Sequence, residues 1–557
     1  MKKPESNLAL DCLAHWVAQK GSQDYLVQPM PDGSVVKLTW QEVDEQARRF
    51  AAFLKAQNYP PRSQIALMSA NCAWWIVADL GIWMAGHVSV PLYPDLAADT
   101  VQFILEHSEA KLVVVGKLAK WQDMKPGVPA DLPTVALPIH PDDSFSHSWD
   151  QIMANHAPLA EVPAWDPDEL ATMVYTSGST GRPKGVMLSF AAMQATPRAS
   201  AEVVPTHEND RMLSYLPLAH VYERANIEQL SLYNGMTVFF ADSLATFQKD
   251  LQRARPTVFL SVPRLWVKFQ EGVNQKMPPA RQKLLFSIPL VGGKVKRKIL
   301  ETLGLDQVRV ALTASAPLSA EIIAWYRSLG LELLEAYGMS ENFGLSHNTR
   351  PGNRSVGTVG PPAPGVEHRI AENGEILVRS PANMLGYFKN PEKTREDLTE
   401  DGWLHTGDMG RIENDNQLRI TGRVKELFKT SKGKYVAPAP IENKLVNHAG
   451  VEAVCVAGAT REQPHALILL EPETRKKLND AAARDAYSAE LEAAVKQMNA
   501  TLDHHEQIAF VVLVRDPWTI DNGYLTPTMK IKRNVVEEAY AGKLDEWYAA
   551  KQAVIWE

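Results

Sequence analysis

Residues 170–190 read "LATMVYTSGSTGRPKGVMLSF". The apolar runs 170–174 and 186–188 predict two short buried strands with a loop between them. That loop holds Gly178, Gly181 and Gly185, the hydroxyls of Thr176, Ser177, Ser179 and Thr180, and the cations Arg182 and Lys184. Glycine permits positive φ and a close backbone approach to a ligand. Successive N–H groups in such a turn form a nest for an anion. A lysine on its flexible stem adds a point charge suited to phosphate. The nucleoside-triphosphatase P-loop is excluded, because it needs Gly-Lys-Ser/Thr with a helix directly after. Here Lys184 lies between Pro183 and Gly185, and a strand follows. The alternative is a solvated turn, the usual fate of Ser/Gly/Pro-rich stretches. The hydroxyl density and the lysine, set between two buried strands, favour phosphate.

The rest of the chain bounds what such a loop could serve. At 557 residues, two to four domains are expected. A net charge of -7 and a pI near 6.1 argue against nucleic acid as a bulk electrostatic partner. Cys12, Cys72 and Cys455 are far apart and in no C-x-x-C pair, which argues against disulfides and structural zinc. The first twenty residues lack the long apolar run of a signal peptide. The stretch 74–91 is broken by Asp79 and His87 and reads as a core helix followed by a strand, not a span. A reducing, cytoplasmic setting is the expectation, with peripheral contact at the inner face of a membrane left open.

Helical and strand periods alternate up to about residue 340, the pattern of an α/β body. Val43, Ala47, Phe50 and Leu54 share one helical face within 38–57. Residues 308–315 read as a buried strand, and Ser319 as the N-cap of a helix turning Ile322, Ile323 and Tyr326 inward. After residue 350 the texture becomes β-rich, with Asn373-Gly374 as a hairpin turn. From Val424 it returns to mixed α and β. The expected organisation is a large domain over 1–422, containing a β-rich piece at about 350–422, and a small α+β domain over 423–557.

Five further stretches follow in order: "LPLAHVYE" (216–223), "EAYGMSE" (335–341), "WLHTGD" (403–408), "ITGRVKELFKTSKGKYVAPAPIE" (420–442) and "LTPTMKIKR" (525–533). With "YTSGSTGRPKG" (175–185) they resemble the signatures of the adenylate-forming superfamily, which includes acyl- and aryl-CoA synthetases, luciferases and the adenylation domains of peptide synthetases. The resemblance implies ATP, Mg²⁺ and CoA as cofactor and co-substrates, and a hinged, mobile C-terminal domain. It implies that Thr176, Ser177, Gly178, Ser179, Thr180, Gly181 and Lys184 hold the β- and γ-phosphates, Thr180 also counting among the catalytic groups. His220 would line the acyl pocket beside the reacting carboxylate. Tyr337 would stack on adenine, with Gly338, Met339 and Ser340 around the nucleotide. Glu341 would help hold Mg²⁺, a hard cation that prefers oxygen. Asp408 would accept from the ribose hydroxyls and Arg423 would contact the ribose. Lys425 falls at the hinge, Gly433 and Lys434 on the CoA path, and Lys530 where a lysine bridges carboxylate and α-phosphate. Lys532 and Arg533 stand beside Lys530 and compete for that part.

Within the superfamily, "LPLAHVYER" and "KELFKTSKGKYVAPAPIEN" look most like long-chain fatty acyl-CoA synthetases. The implied partners are a fatty acid, ATP and CoA. Two alternatives stand beside that reading: an acyl-AMP ligase that loads a carrier protein, and an enzyme activating another hydrophobic carboxylic acid. A catalytically silent binding protein is disfavoured by the intact Glu341, Asp408, Arg423 and Lys530. Two departures are visible. Ala314-Ser315 stands where relatives commonly have glycine, and Arg224 occupies the position, four after His220, where some relatives gate an acyl tunnel with an aromatic.

Overall fold

The hairpin Leu170–Thr176/Lys184–Ser189 forms as the apolar runs require. It closes one side of an eight-stranded sheet. In spatial order the strands are Gly386–Tyr387, Lys184–Ser189, Leu170–Thr176, Val88–Leu92, Gln64–Met68, Leu112–Val115, Thr134–Ala136 and His147–Ser148. The inner strands are parallel and the first two pairings antiparallel. The computed structural model describes residues 4, 8–176, 182–352, 355, 357–520, 522–526 and 530–557. They fall into two units. The first takes the chain to Arg369, with Leu377–His405 and Asn414–Leu418; the second takes Ile370–Ile376, Thr406–Glu413 and Arg419–Glu557.

Two smaller sheets complete the first unit. One orders Arg211–Ser214, Thr237–Phe240, Asp24–Pro29 and Val35–Thr39; the other orders Val258–Ser261, Val310–Thr313, Leu333–Tyr337 and His347–Asn348. The helix Trp40–Ala56 buries Val43, Ala47, Phe50 and Leu54, the face its spacing calls for. Thr39 caps it in a capping box with Glu42. Ser319 caps Ala320–Leu329, and Ile322, Ile323 and Tyr326 are buried. Ser315 takes φ 73°, a conformation that glycine adopts most readily.

The second unit is built on Val451–Ala457, His465–Leu470, Val511–Leu513 and Val554–Trp556 in that order, with helices including Ala481–Asn499 and Arg533–Tyr540. The Asn373-Gly374 turn forms, with Gly374 at φ 85° and its N–H donating to Ala371 O at 2.8 Å.

The helix Ala73–Met84 is buried along its whole length, Asp79 included. Such a carboxylate needs a partner. It finds Arg224, itself fully buried in a π-helical stretch, Arg224–Gln229. Arg224 also donates to Glu228 Oε2 at 3.1 Å and Thr172 Oγ1 at 2.7 Å. Burial first, and Asp79's charge second, drive Glu228 well above the ordinary carboxylate range. The cluster therefore sets one guanidinium against two buried acidic side chains, with Glu228 pushed toward its neutral form. Arg224 is committed to tying this helix pair to the sheet. Replacing Arg224 with Leu leaves two buried acids without a cation. It is expected to cost about 3–5 kcal/mol in a urea unfolding measurement, and replacing Asp79 and Glu228 by Leu as well should recover most of that loss.

Candidate active site

Tyr175 and Gly185 face each other across the hairpin. A Cβ on Gly185 would lie 3.2 Å from the Tyr175 ring. Glycine permits positive φ, but Gly185 does not adopt it. Its lack of a side chain makes room for the tyrosine, whose hydroxyl lies 2.8 Å from His107 Nδ1. Ser177, Gly178, Ser179, Thr180 and Gly181 lie outside the described residues. Thr176 ends one strand and Lys184 opens the next.

Lys184 is directed by its other neighbour. The short strand Gly386–Tyr387 pairs antiparallel with Lys184–Ser189, setting Tyr387 opposite Val186. Lys184 Nζ then lies 4.1 Å from the centroid of the Tyr387 ring and 4.0 Å from Asp397 Oδ2. The Tyr387 hydroxyl lies 2.8 Å from Glu341 Oε1 and 2.9 Å from Asp397 Oδ2. A phenol has one proton, so it donates to one carboxylate at a time. Burial first, and both carboxylates after it, push the phenol's pKa far up, so it stays a donor. Lys393 Nζ donates to Asp397 Oδ1 at 2.7 Å, so cations gather on the Asp397 side. Glu341 has no ion pair among the described residues.

Glu341 sits in the short turn Ser340–Asn342, after the strand Leu333–Tyr337. A Cβ on Gly338 would come within 2.3 Å of Gly344 O, so only glycine fits there. Met339 N–H donates to Asn342 Oδ1 at 2.9 Å, and Met384 N–H to Glu341 O at 2.8 Å. Tyr337 pairs across the sheet with His347, the rings 6.1 Å apart. His347 Nε2 lies 2.7 Å from His368 Nδ1. Burial first, and His368 second, lower the pKa of His347 to about 3. His220 caps its helical turn, Nδ1 accepting the Tyr222 N–H at 3.1 Å, which leaves the proton of a neutral ring on Nε2.

In the second unit, Arg423 Nε donates to Asp408 Oδ1 at 2.8 Å, so the two expected ribose contacts meet in one ion pair. Asp408 is held further by its own N–H, which donates to Thr406 Oγ1 at 3.1 Å. Lys425 lies in the short turn Val424–Glu426. Gly433, at φ 71°, and Lys434 form a tight turn closed on Thr430. Lys530 is exposed, and its carbonyl accepts the Thr526 N–H at 2.8 Å; residues 527–529 lie outside the described residues. Arg533 is occupied inside the unit by Glu442 and Val456 O, at 2.7 and 2.6 Å. Of the three basic residues at 530, 532 and 533, Arg533 is thus committed within the unit.

Two family models match the chain: the AMP-binding enzyme model over residues 13–388, and the AMP-binding enzyme C-terminal domain over 426–552. The chain belongs to the AMP-binding enzyme family. Among curated relatives of this family member is the long-chain-fatty-acid–CoA ligase FadD15 of Mycobacterium bovis, 32% identical over 95% of each chain. The peroxisomal long chain acyl-CoA synthetase 7 of Arabidopsis thaliana is 30% identical over 98% of this chain and 87% of its own length. Among solved structures, the anthranilate CoA ligase AuaEII, in complex with anthranoyl-AMP, shares the fold. Its TM-score is 0.78 at 20% identity, over 98% of this chain and 99% of the other.

No group of three or more His, Cys, Asp or Glu side chains converges as a metal cage among the described residues. A single buried carboxylate such as Glu341 suits Mg²⁺, which is held by one or two carboxylates while keeping waters and phosphate oxygens as its other ligands. Tyr387 and Asp397 gave no signal in the sequence reading. The dipeptide Gly386-Tyr387 is too short to read as a strand, and its partner is two hundred residues away.

Tyr387→Phe removes the one proton between two carboxylates. Calorimetric titration is expected to show Mg²⁺-nucleotide binding weakened about 10-fold, the worth of one charge-assisted hydrogen bond, with metal-free AMP binding unchanged. Equal losses in both titrations would contradict a role through Glu341. His347 also generates a pH dependence. Its folded pKa lies below the ordinary 6.5. Its contribution to stability is therefore complete above pH 6.5 and is lost as pH falls toward about 3. The limiting slope is about 1.4 kcal/mol per pH unit. His347→Gln should flatten that part of the stability–pH curve.

Proposed function

We propose that this protein joins a long-chain fatty acid to CoA at the expense of ATP, giving acyl-CoA, AMP and pyrophosphate. The observation that carries the chemistry is the Lys184–Tyr387–Glu341 cluster, and in this reading its cation holds phosphate and its carboxylate holds metal. The acid class rests on the relatives named as long-chain ligases. A carboxylate is a poor electrophile, and mixed-anhydride formation with AMP gives it a leaving group. In the first step a fatty acid carboxylate oxygen bonds to the α-phosphorus of ATP and the bond to pyrophosphate breaks. Two anions must approach, so positive charge is required between them. Mg²⁺, when bound, supplies part of that charge as a Lewis acid. Lys184 and the glycine loop hold the departing phosphates by positioning. Tyr337 takes the adenine and the Asp408–Arg423 pair opens to the ribose hydroxyls. Lys530 bridges the carboxylate and the α-phosphate. In the second step the CoA sulfur bonds to the acyl carbon, the bond to AMP oxygen breaks, and the thiol proton leaves with solvent. His220 lines the acyl side. The boundary at residues 422–423, the hinge at Lys425 and the CoA path past Gly433 and Lys434 belong to the same reading.

The test is a panel of carboxylic acids of rising chain length, scored for pyrophosphate release with and without CoA. Long-chain acids should give the highest kcat/KM and a thioester product. Acyl-adenylate accumulating with no thioester in the presence of CoA would move the acceptor to a carrier protein. Lys530→Ala should lower adenylation by about 10²-fold or more while nucleotide binding is kept; unchanged turnover would remove that lysine from the mechanism.

A further inference from the structure

Residues 272–300 contain seven Lys and Arg and no Asp or Glu, in a chain whose net charge is -7. They include the end of the helix Pro263–Lys276 and form the helix Pro279–Ser287 and most of Val291–Leu303. Around the turn between the last two, Leu284, Ile288, Leu290 and Val291 are 64, 39, 89 and 41% exposed. Contiguous large aliphatic side chains in water mark an interaction surface.

The turn itself is strained. Val291 N–H donates to Pro289 O at 2.8 Å, closing a three-residue turn on Leu290 at φ 65°, ψ −35°. A γ-turn of this positive-φ hand is rare and unfavourable. Glycine would relieve it. The leucine has almost no packing inside the protein to offset it. The turn is nonetheless held firmly from beneath. A Cβ on Gly292 would come within 2.5 Å of Phe286 O, so the second helix starts tight against the first. Gln282, buried, donates to Asn274 and Met277 O and accepts the Trp325 indole N–H at 2.8 Å.

Cations flank the apolar tip on both arms. Lys276, Arg281 and Lys283 are exposed before it, and Lys294, Arg297 and Lys298 after it. On the second helix Gly292, Ile299 and Leu303 face the core, while Val291, Lys294 and Lys298 recur at helical spacing along an exposed side. Arg297 and Lys298 both reach Glu301, at 3.2 and 3.7 Å, and remain 74 and 78% exposed. One carboxylate between two cations leaves that arm positive.

We propose that the helical hairpin 279–298 docks the protein on the surface of an anionic phospholipid bilayer. Leu284, Ile288, Leu290 and Val291 enter the acyl boundary, and the flanking cations sit at the phosphate level. The charge picks an anionic partner. The aliphatic residues cluster at a turn and the helix ends beside it, which suits a fluid hydrocarbon layer, whereas an acidic protein would need a matching pocket. This surface includes none of the candidate site residues and does not depend on which acid is activated.

The experiment is flotation of the full chain with vesicles of phosphatidylcholine alone or mixed with phosphatidylglycerol. The protein is expected to float with the anionic vesicles, less so at high salt. Leu290→Asp, and separately Lys294→Glu with Arg297→Glu and Lys298→Glu, should each lower partitioning by about 10-fold or more. Both variants should keep the wild-type melting profile and their turnover of acid in the absence of vesicles. Because Cys12, Cys72 and Cys455 are buried, Ser287→Cys accepts a polarity-sensitive dye selectively, and its emission should shift to the blue on anionic vesicles. Unchanged partitioning of the folded variants overturns the proposal. So does a folded wild-type protein that binds neither vesicle, which would turn the patch over to an acidic protein.

Discussion

The strand Lys184–Ser189 is hydrogen-bonded on both edges, and most of the first unit's candidate site follows from its register. On one side Gly185 lies opposite Tyr175; on the other Val186 lies opposite Tyr387. A shift of one residue along a strand sends every side chain to the other face. The present register therefore carries Lys184 to the Tyr387 ring, and the Tyr387 hydroxyl to Glu341. The end of the hairpin at Lys184 and the turn at Glu341, distant in the chain, become neighbours through two residues of strand.

Charge is buried in this unit in two different ways. Arg224, Asp79 and Glu228 are wholly enclosed, with Thr172 accepting from Arg224 and Gln229 donating to Glu228. In so dry a place an ion cannot exchange partners without a large desolvation cost, so the cluster holds elements together. The Tyr387 cluster is built otherwise. Its carboxylates share one proton, and Lys184 and Asp397 keep about a quarter and a fifth of their side chains exposed. Such a cluster has room to change partners, and its cation opens the strand Lys184–Ser189. The difference in exposure separates a fully enclosed ion group from one that solvent and a ligand can reach.

Much of the architecture was legible from local pattern. Helical spacing located the buried face of Trp40–Ala56, Ser319 announced its helix, and Asn373-Gly374 announced its turn. These are short-range properties, set by backbone sterics and by which side of an element is apolar. Gly185 shows where that reasoning stops. Its identity follows from a tyrosine across the sheet and not from its own φ. Arg224 is a second case: nothing around it in the chain indicates that its partners are a residue on a helix 145 positions earlier and one a turn later. Ser315 is a third, adopting the glycine-like φ with a side chain the motif did not lead one to expect.

The sequence by itself determined the family, the order of its motifs and the residue types offered to nucleotide, metal and acid. Those depend on which groups can accept, donate or carry charge, and short motifs retain that information. Only the tertiary structure decided which of these groups touch. It joined Glu341 to Tyr387 and Asp408 to Arg423, committed Arg533 to Glu442, and left Leu290 in water between two basic arms. Contact between distant residues depends on strand register and helix packing, which arise from the burial of the whole core and are written in no single stretch of the chain.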